Sequence, residues 1–281
     1  MTLTRSVLGC IACFMLLAGL QLYFNGDAEA NAALSDVSPA DYKNDLMQQQ
    51  RIFMKQQSMM KLSAKNGLDE LVAKLVPTIN CPFAVHIGQF VDGGKRMCAP
   101  WRANQLPTCT AYSLGVGGDV SWERALTALV PNCTIYSFDP NEAYKRLFHD
   151  LGNKITFVPT LITKRGDKQG TAIPTFAQLR GHKRIEFFKI DIENAEYETL
   201  DDGELVICQL LIEIHVAGGV VMRSNFLRLL NLIETSGFEL FATTPNWRCG
   251  ITCQEHAYIH RTCFVTYGLQ LNTISHKNFR S

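Results

Sequence analysis

Leu114-Gly115-Val116-Gly117-Gly118-Asp119, followed 24 residues after Gly115 by an acid in Ser137-Phe138-Asp139-Pro140, is the stretch on which the fold turns. Thr110 to Leu114 reads as a strand, Trp122 to Leu129 as a helix and Cys133 to Phe138 as a second strand. Glycines at such a strand-to-helix turn let the backbone pass close beneath a ligand, and the helix start offers unpaired N–H groups. An acid closing the second strand is placed to accept hydrogen bonds from both hydroxyls of a ribose. Gly-x-Gly-Gly alone could come from any tight turn. Joined to strand, helix, strand and terminal acid, it points to a nucleotide site formed by Gly115, Gly117, Gly118, Asp119 and Asp139. A dinucleotide would want a third glycine where this chain has Val120-Ser121-Trp122, so the bulky Trp122 favours a smaller nucleoside ligand.

Working outward, helical and strand patterns alternate. Glu142 to Leu151 and Thr175 to Arg180 predict helices, with a strand at Ile155 to Leu161 between them. Ile185 to Ile190 and Leu205 to Ile214 are apolar enough to be buried on both faces, as central strands of a parallel sheet are. Ser224 to Thr235 predicts a helix stopped by Gly237, and Phe238 to Thr243 with Ala257 to Val265 a closing pair of strands. The expected class is α/β: a Rossmann-like doubly wound sheet, mostly parallel, with an antiparallel closing strand.

The 281 residues carry 27 Lys and Arg against 26 Asp and Glu, so no basic field draws the chain to nucleic acid. One charge, Arg5, precedes an apolar run from Val7 to Leu20 that continues, apart from Gln21, to Phe24. Its length approaches a bilayer span, and the nearest small-x-small cleavage site, Ala28-Glu29-Ala30, lies well beyond it. Residues 1–24 therefore read as an uncleaved type II signal anchor, with secretion the outcome if the signal is cut. Residues 25–77 read as a polar helical stem closed by Pro77, and residues 78–281 as one lumenal domain in the secretory pathway.

Eight cysteines lie beyond the apolar run, an even number that an oxidising lumen would mostly pair. Cys208, inside an apolar strand, is the expected exception. Cys249, Cys253, His256, His260 and Cys263 have spacings that could hold zinc, but disulfides account for the same residues. Asn132-Cys133-Thr134 is a short glycosylation signal.

Phe188-Lys189-Ile190-Asp191-Ile192-Glu193-Asn194-Ala195-Glu196-Tyr197-Glu198 resembles the signature block of the FkbM-type methyltransferases, with Asn194 where that family has glycine. Leu211-Ile212-Glu213-Ile214-His215 is similar to its next strand. Asp92-Gly93-Gly94-Lys95 with Cys98, and Ala111 to Gly115, resemble an animal methyltransferase-like branch. The resemblance implies a class I fold with S-adenosylmethionine over the Gly115 loop and its ribose on Asp139.

Asp191, Glu213 and His215 fall at strand ends facing the same crevice. Adjacent buried carboxylates repel unless a cation, a proton or a basic residue lies between them. One resolution is a divalent ion such as Mg²⁺ on Asp191 and Glu213. The other sets Asp191 near a sulfonium and uses His215 as the base that takes a hydroxyl proton. Glu196 and Glu198 could equally sit on a solvated helix. The leading expectation is O-methylation of a small-molecule or glycan acceptor. A non-catalytic lumenal binding module and a nicotinamide-dependent oxidoreductase are the competing readings. The oligomeric state is not legible.

Overall fold

In the computed structural model the described residues are 75–269, without 90, 91, 165, 167–169, 194, 200–204, 216–218, 247 and 248. The anchor at residues 1–24, nearly all of the stem, Asn194 and the side chain of Glu198 lie outside them. Among the described residues no helix is long and apolar enough to cross a membrane.

A hairpin absent from the sequence reading opens the domain: β1 (Ala84–Ile87) pairs antiparallel with β2 (Lys95–Cys98). Then follow β3 (Cys109–Leu114), α1 (Ser121–Leu129), β4 (Cys133–Asp139), β5 (Ile155–Pro159), the short pair β6 (Leu161–Ile162) and β7 (Gly170–Thr171), and α2 (Ile173–Arg180). The second half holds β8 (Arg184–Ile190), α3 (Glu196–Thr199), β9 (Val206–His215), α4 (Gly219–Thr235), β10 (Phe238–Asn246) and β11 (Gly250–His260).

Seven strands form one sheet in the order β10-β11-β9-β8-β3-β4-β5. The five from β9 to β5 are parallel, and β11 runs antiparallel to both β9 and β10. The expected class and its closing strand are therefore found. The sheet is covered on both faces. One face packs Trp122, Leu126, Phe187, Ile259 and Phe264, and the other packs Tyr112, Phe138, Phe176, Phe188, Phe226 and Leu229. Each such side chain contributes roughly 1.5–3 kcal/mol by leaving water. The chain joins the sheet where the stem was expected to end, with the Thr78 and Ile79 N–H groups donating to Leu240 O at 2.8 and 3.2 Å.

Several expectations are corrected. Glu142–Phe148 is a 3₁₀ helix rather than an α-helix to Leu151. The last strand is Gly250–His260 and not Ala257 to Val265, because the chain turns at Arg261–Cys263 to bring Cys263 to Cys208. Cys208 is therefore paired: burial in an apolar strand did not leave it free, since its partner comes from a distant turn. The other bonds are Cys81–Cys98, Cys109–Cys133 and Cys249–Cys253. The zinc spacing does not converge, for Cys263 is taken, His256 is buried against Tyr258, and His260 bonds Thr262 and Ser236. Trp122 points into the core, 1% exposed, so it is no gauge of ligand size. Asn132 turns its amide nitrogen to the carbonyls of Ala103 and Leu106 at 3.0 and 3.3 Å.

Candidate active site

Parallel strands end at one edge of the sheet, and their carboxyl ends enclose a cleft of about 580 Å³, within the ~300–1,000 Å³ usual for small-molecule sites. Gly115, Val116, Gly117 and Asp119 after β3, Asp139 at the end of β4, Asp191 and Glu193 after β8, and Glu213 and His215 at the end of β9 all line it. Every site residue expected from the sequence reaches this cleft except Gly118, whose backbone backs onto the Tyr144 ring.

The glycine loop is fixed from two sides. Asp139 Oδ2 accepts from the N–H groups of Val116 and Gly117 at 3.0 and 3.3 Å, and its Oδ1 accepts from Asn141 N–H at 2.8 Å. Asp139 thus shapes the loop before any ligand arrives, beyond the ribose contact expected of it. Lys189, on β8, donates to Gly115 O at 2.8 Å. At Gly115, with φ +82°, a Cβ would stand 1.7 Å from Asp191 O, so no other residue fits. Gly117, with φ +57°, has open space where a side chain would be, so its bare backbone faces the cleft. Asp119 is committed to the start of α1, accepting from Ser121 N–H at 3.0 Å and Ser121 Oγ at 2.8 Å.

The cation between the carboxylates is a lysine. Lys95, 2% exposed at the start of β2, places Nζ 3.1 Å from Asp191, 2.7 Å from Glu255 and 3.7 Å from Glu213. Of the resolutions open to the acids, the fold supplies the basic residue where a Mg²⁺ ion had been expected on Asp191 and Glu213. Glu255 is a cross-strand partner of Glu213 in the β9–β11 register, a juxtaposition of like charges tolerable only with Lys95 between them. Burial works against the Lys95 charge, but Glu255, Asp191 and Glu213 together hold it firmly protonated. Burial alone would raise the Asp191 pKa, yet Lys95 and then Lys189 bring it below the ordinary value. Glu213 is pushed up to about 8 by burial and by Glu255 and Asp191, with Lys95 and His215 opposing. Asn246, at the end of β10, donates to Glu213 Oε1 at 2.8 Å.

His215 is gripped on both ring nitrogens. Nδ1 lies 2.9 Å from Glu196 Oε1 and Nε2 3.3 Å from Glu193 Oε2. Glu196 is fully buried and belongs to the site, not to a solvated helix face. Its hydrogen bond, opposed by burial, raises the His215 pKa to about 9. Glu193 reaches His215 from a left-handed backbone, φ +52°. Strand β8 ends before Asp191, and a turn through Glu193 completes the approach. Lys95, Glu255 and Glu196 contact the cleft-lining acids and His215 and were missed or left open by sequence reasoning. An Asp-Gly-Gly turn between two short runs was the available signal for the β1–β2 hairpin that carries Lys95.

A glycine loop tied to a strand-end acid, beside an acid and histidine cluster in a sheet of this order, is the arrangement of a Rossmann-like methyltransferase. The family model described as Methyltransferase domain matches residues 28–260, so the chain belongs to that family and is an S-adenosylmethionine-dependent methyltransferase. The match begins inside the stretch read above as a stem. Among solved structures, the chain is similar to the Methanococcus jannaschii fibrillarin pre-rRNA processing protein, at 12% identity over 62% of this chain and 81% of that one, TM-score 0.40. It is also similar to a Burkholderia thailandensis 1,6-didemethyltoxoflavin-N1-methyltransferase with bound S-adenosylhomocysteine, at 12% identity over 57% and 76%, TM-score 0.34. A SAM-dependent methyltransferase from Aquifex aeolicus matches at 13% identity over 54% and 82%, TM-score 0.33. No curated protein sequence matches.

The residues present fit the cofactor. The bare Gly117 backbone leaves room for it, Asp139 stands in the wall with carboxylate lone pairs to spare, and Asp191 adds a carboxylate to the same cleft. A methyltransferase family membership also sets aside the nicotinamide reading.

Proposed function

We propose that this chain is an FkbM-type O-methyltransferase of the animal methyltransferase-like branch, acting in the secretory pathway on an uncharged hydroxyl such as that of a glycan. The observation that carries this reading is the His215–Glu196 pair opposite the Gly115 loop, a base held by a buried carboxylate where a hydroxyl must lose its proton. When bound, S-adenosylmethionine supplies the electrophilic methyl group. With the exposed Glu193 carboxylate displaced from it, His215 Nε2 takes the hydroxyl proton as the oxygen attacks, and Glu196 holds the ring through Nδ1. Asp191 stabilises positive charge on the cofactor side. Lys95 keeps Asp191, Glu213 and Glu255 from repelling one another. This scheme uses no divalent ion, since Lys95 already stands between Asp191 and Glu255.

Asp92, Asp191, Glu193 and Glu213 line the cleft, which disfavours a phosphate, sulfate or carboxylate acceptor and supports a neutral one. The same field and the near-zero net charge argue against nucleic acid. Four disulfides support an oxidising lumen, and the apolar run from Val7 to Phe24 supports a membrane anchor ahead of it. The test is transfer of a labelled methyl group from S-adenosylmethionine to a panel of neutral glycans by full-length protein from a secretory host. Labelled glycan is expected, with turnover about 10²- to 10⁴-fold lower in His215→Ala and S-adenosylhomocysteine affinity unchanged. Labelling of anionic acceptors alone, or full activity in His215→Ala, would overturn the proposal.

A further inference from the structure

The turn between β10 and β11 carries a disulfide into the wall of the cleft: Cys249 and Cys253 are bonded, and both line it. Glu213 and His215 face them. Cys249 Sγ is 4.0 Å from Glu213 Oε1, and one donor atom each from Glu213, His215 and Cys253 lie within 4.8 Å of one another. His215 Nε2 is 3.9 Å from Glu213 Oε1, while Nδ1 is held at 2.9 Å by buried Glu196. A carboxylate behind a histidine is the arrangement that orients a zinc-binding imidazole and raises its basicity. One nitrogen, one oxygen and two sulfurs make a donor set that Zn²⁺ takes tetrahedrally.

We propose that reduction of Cys249–Cys253 turns this wall of the cleft into a zinc site made of Glu213, His215, Cys249 and Cys253, and that zinc there withdraws His215 from catalysis. Reduction proceeds by exchange with a dithiol, whose two electrons cleave the S–S bond. The dithiol leaves as its own disulfide, and its two protons end on Cys249 and Cys253. Zn²⁺ then displaces thiol protons to water. Metal on Nε2 occupies the lone pair that would accept the hydroxyl proton, so the filled site is an off state. The device is selective. The six cysteines of the other disulfides are at most 4% exposed, whereas Cys249 is partly open to the cleft. This inference concerns the same cleft as the proposed function but does not depend on the acceptor.

The test uses the full chain, oxidised or treated with limiting dithiothreitol, with mass spectrometry of alkylated peptides to show that Cys249–Cys253 has opened. Co²⁺ serves as the spectroscopic probe and Zn²⁺ as its competitor. The expected result is one Co²⁺ per reduced chain, with a tetrahedral spectrum and sulfur-to-metal charge transfer, and none in oxidised protein at the same concentration. Glu196→Gln should weaken Zn²⁺ binding to the reduced chain by about 10- to 100-fold. Cys249→Ser/Cys253→Ser should give no such spectrum in either redox state, while retained S-adenosylhomocysteine binding shows that it folds. No uptake by reduced wild type with the bond shown open, or equal uptake by the double serine variant, overturns the proposal.

Discussion

Replacing Lys95 by Met keeps most of the side-chain volume and removes the buried ammonium that three acids share. The distances of 2.7 and 3.1 Å to Glu255 and Asp191 correspond to roughly 5–6 kcal/mol of attraction each at an effective dielectric constant of about 20. Much of that is offset by repulsion among the acids and by burial of the ammonium. Breaking a buried ion pair by removing one partner costs about 3–5 kcal/mol, the loss expected for Lys95→Met at pH 7.5. The acids then have only protonation as relief. Their folded-state pKa values rise above the unfolded ones, the folded variant binds more protons than the unfolded chain, and its stability falls as pH rises. The deficit against wild type should therefore shrink as pH is lowered from 7.5 toward 5. Urea denaturation at the two pH values measures it. A loss below about 1 kcal/mol, or one independent of pH, would refute the idea that this charge holds the cluster together.

Three further outcomes are expected. Because the grip of Glu196 raises the His215 pKa to about 9, the base is mostly protonated at pH 7, so kcat/KM should climb with pH and level off above about 9; a flat profile from 6 to 9 would count against His215 as the base. Asp139→Ala should weaken S-adenosylhomocysteine binding by about 1–3 kcal/mol in calorimetry, through lost ligand contacts and through release of the Val116 and Gly117 N–H groups; equal affinity in a folded variant removes the assignment. Alkylation without reductant should label none of the eight cysteines beyond the apolar run, Cys208 included, and six or more labelled thiols in protein from a secretory host would overturn both the disulfides and the compartment.

The parallel half of the sheet was legible because its signals are local: apolar runs, a glycine turn, and an acid at the end of a strand. So was the convergence of Asp191, Glu213 and His215, which follows from strand ends sharing one edge. What neutralises those acids was not legible. Lys95 comes from a four-residue strand about a hundred residues upstream of Asp191, and Glu255 meets Glu213 only through the antiparallel register of β11 on β9. Glu196 looks like any helix glutamate until the turn through Glu193 seats it under His215. Cys208 misled for a similar reason, since a buried thiol and half of a buried disulfide have the same sequence neighbourhood. Trp122 misled because its position after the glycines said nothing about which side of α1 it occupies.

The central claim is that the cleft over Gly115 takes S-adenosylmethionine with its reactive end toward Asp191 and His215. Isothermal titration calorimetry of full-length protein with S-adenosylhomocysteine, with NAD as the comparison ligand, tests it most directly. The account predicts one S-adenosylhomocysteine bound per chain, no heat from NAD, and loss of binding in Gly115→Ala, where the new Cβ would collide with Asp191 O. Absence of S-adenosylhomocysteine binding by folded wild-type protein, or saturable binding of NAD in its place, would contradict it.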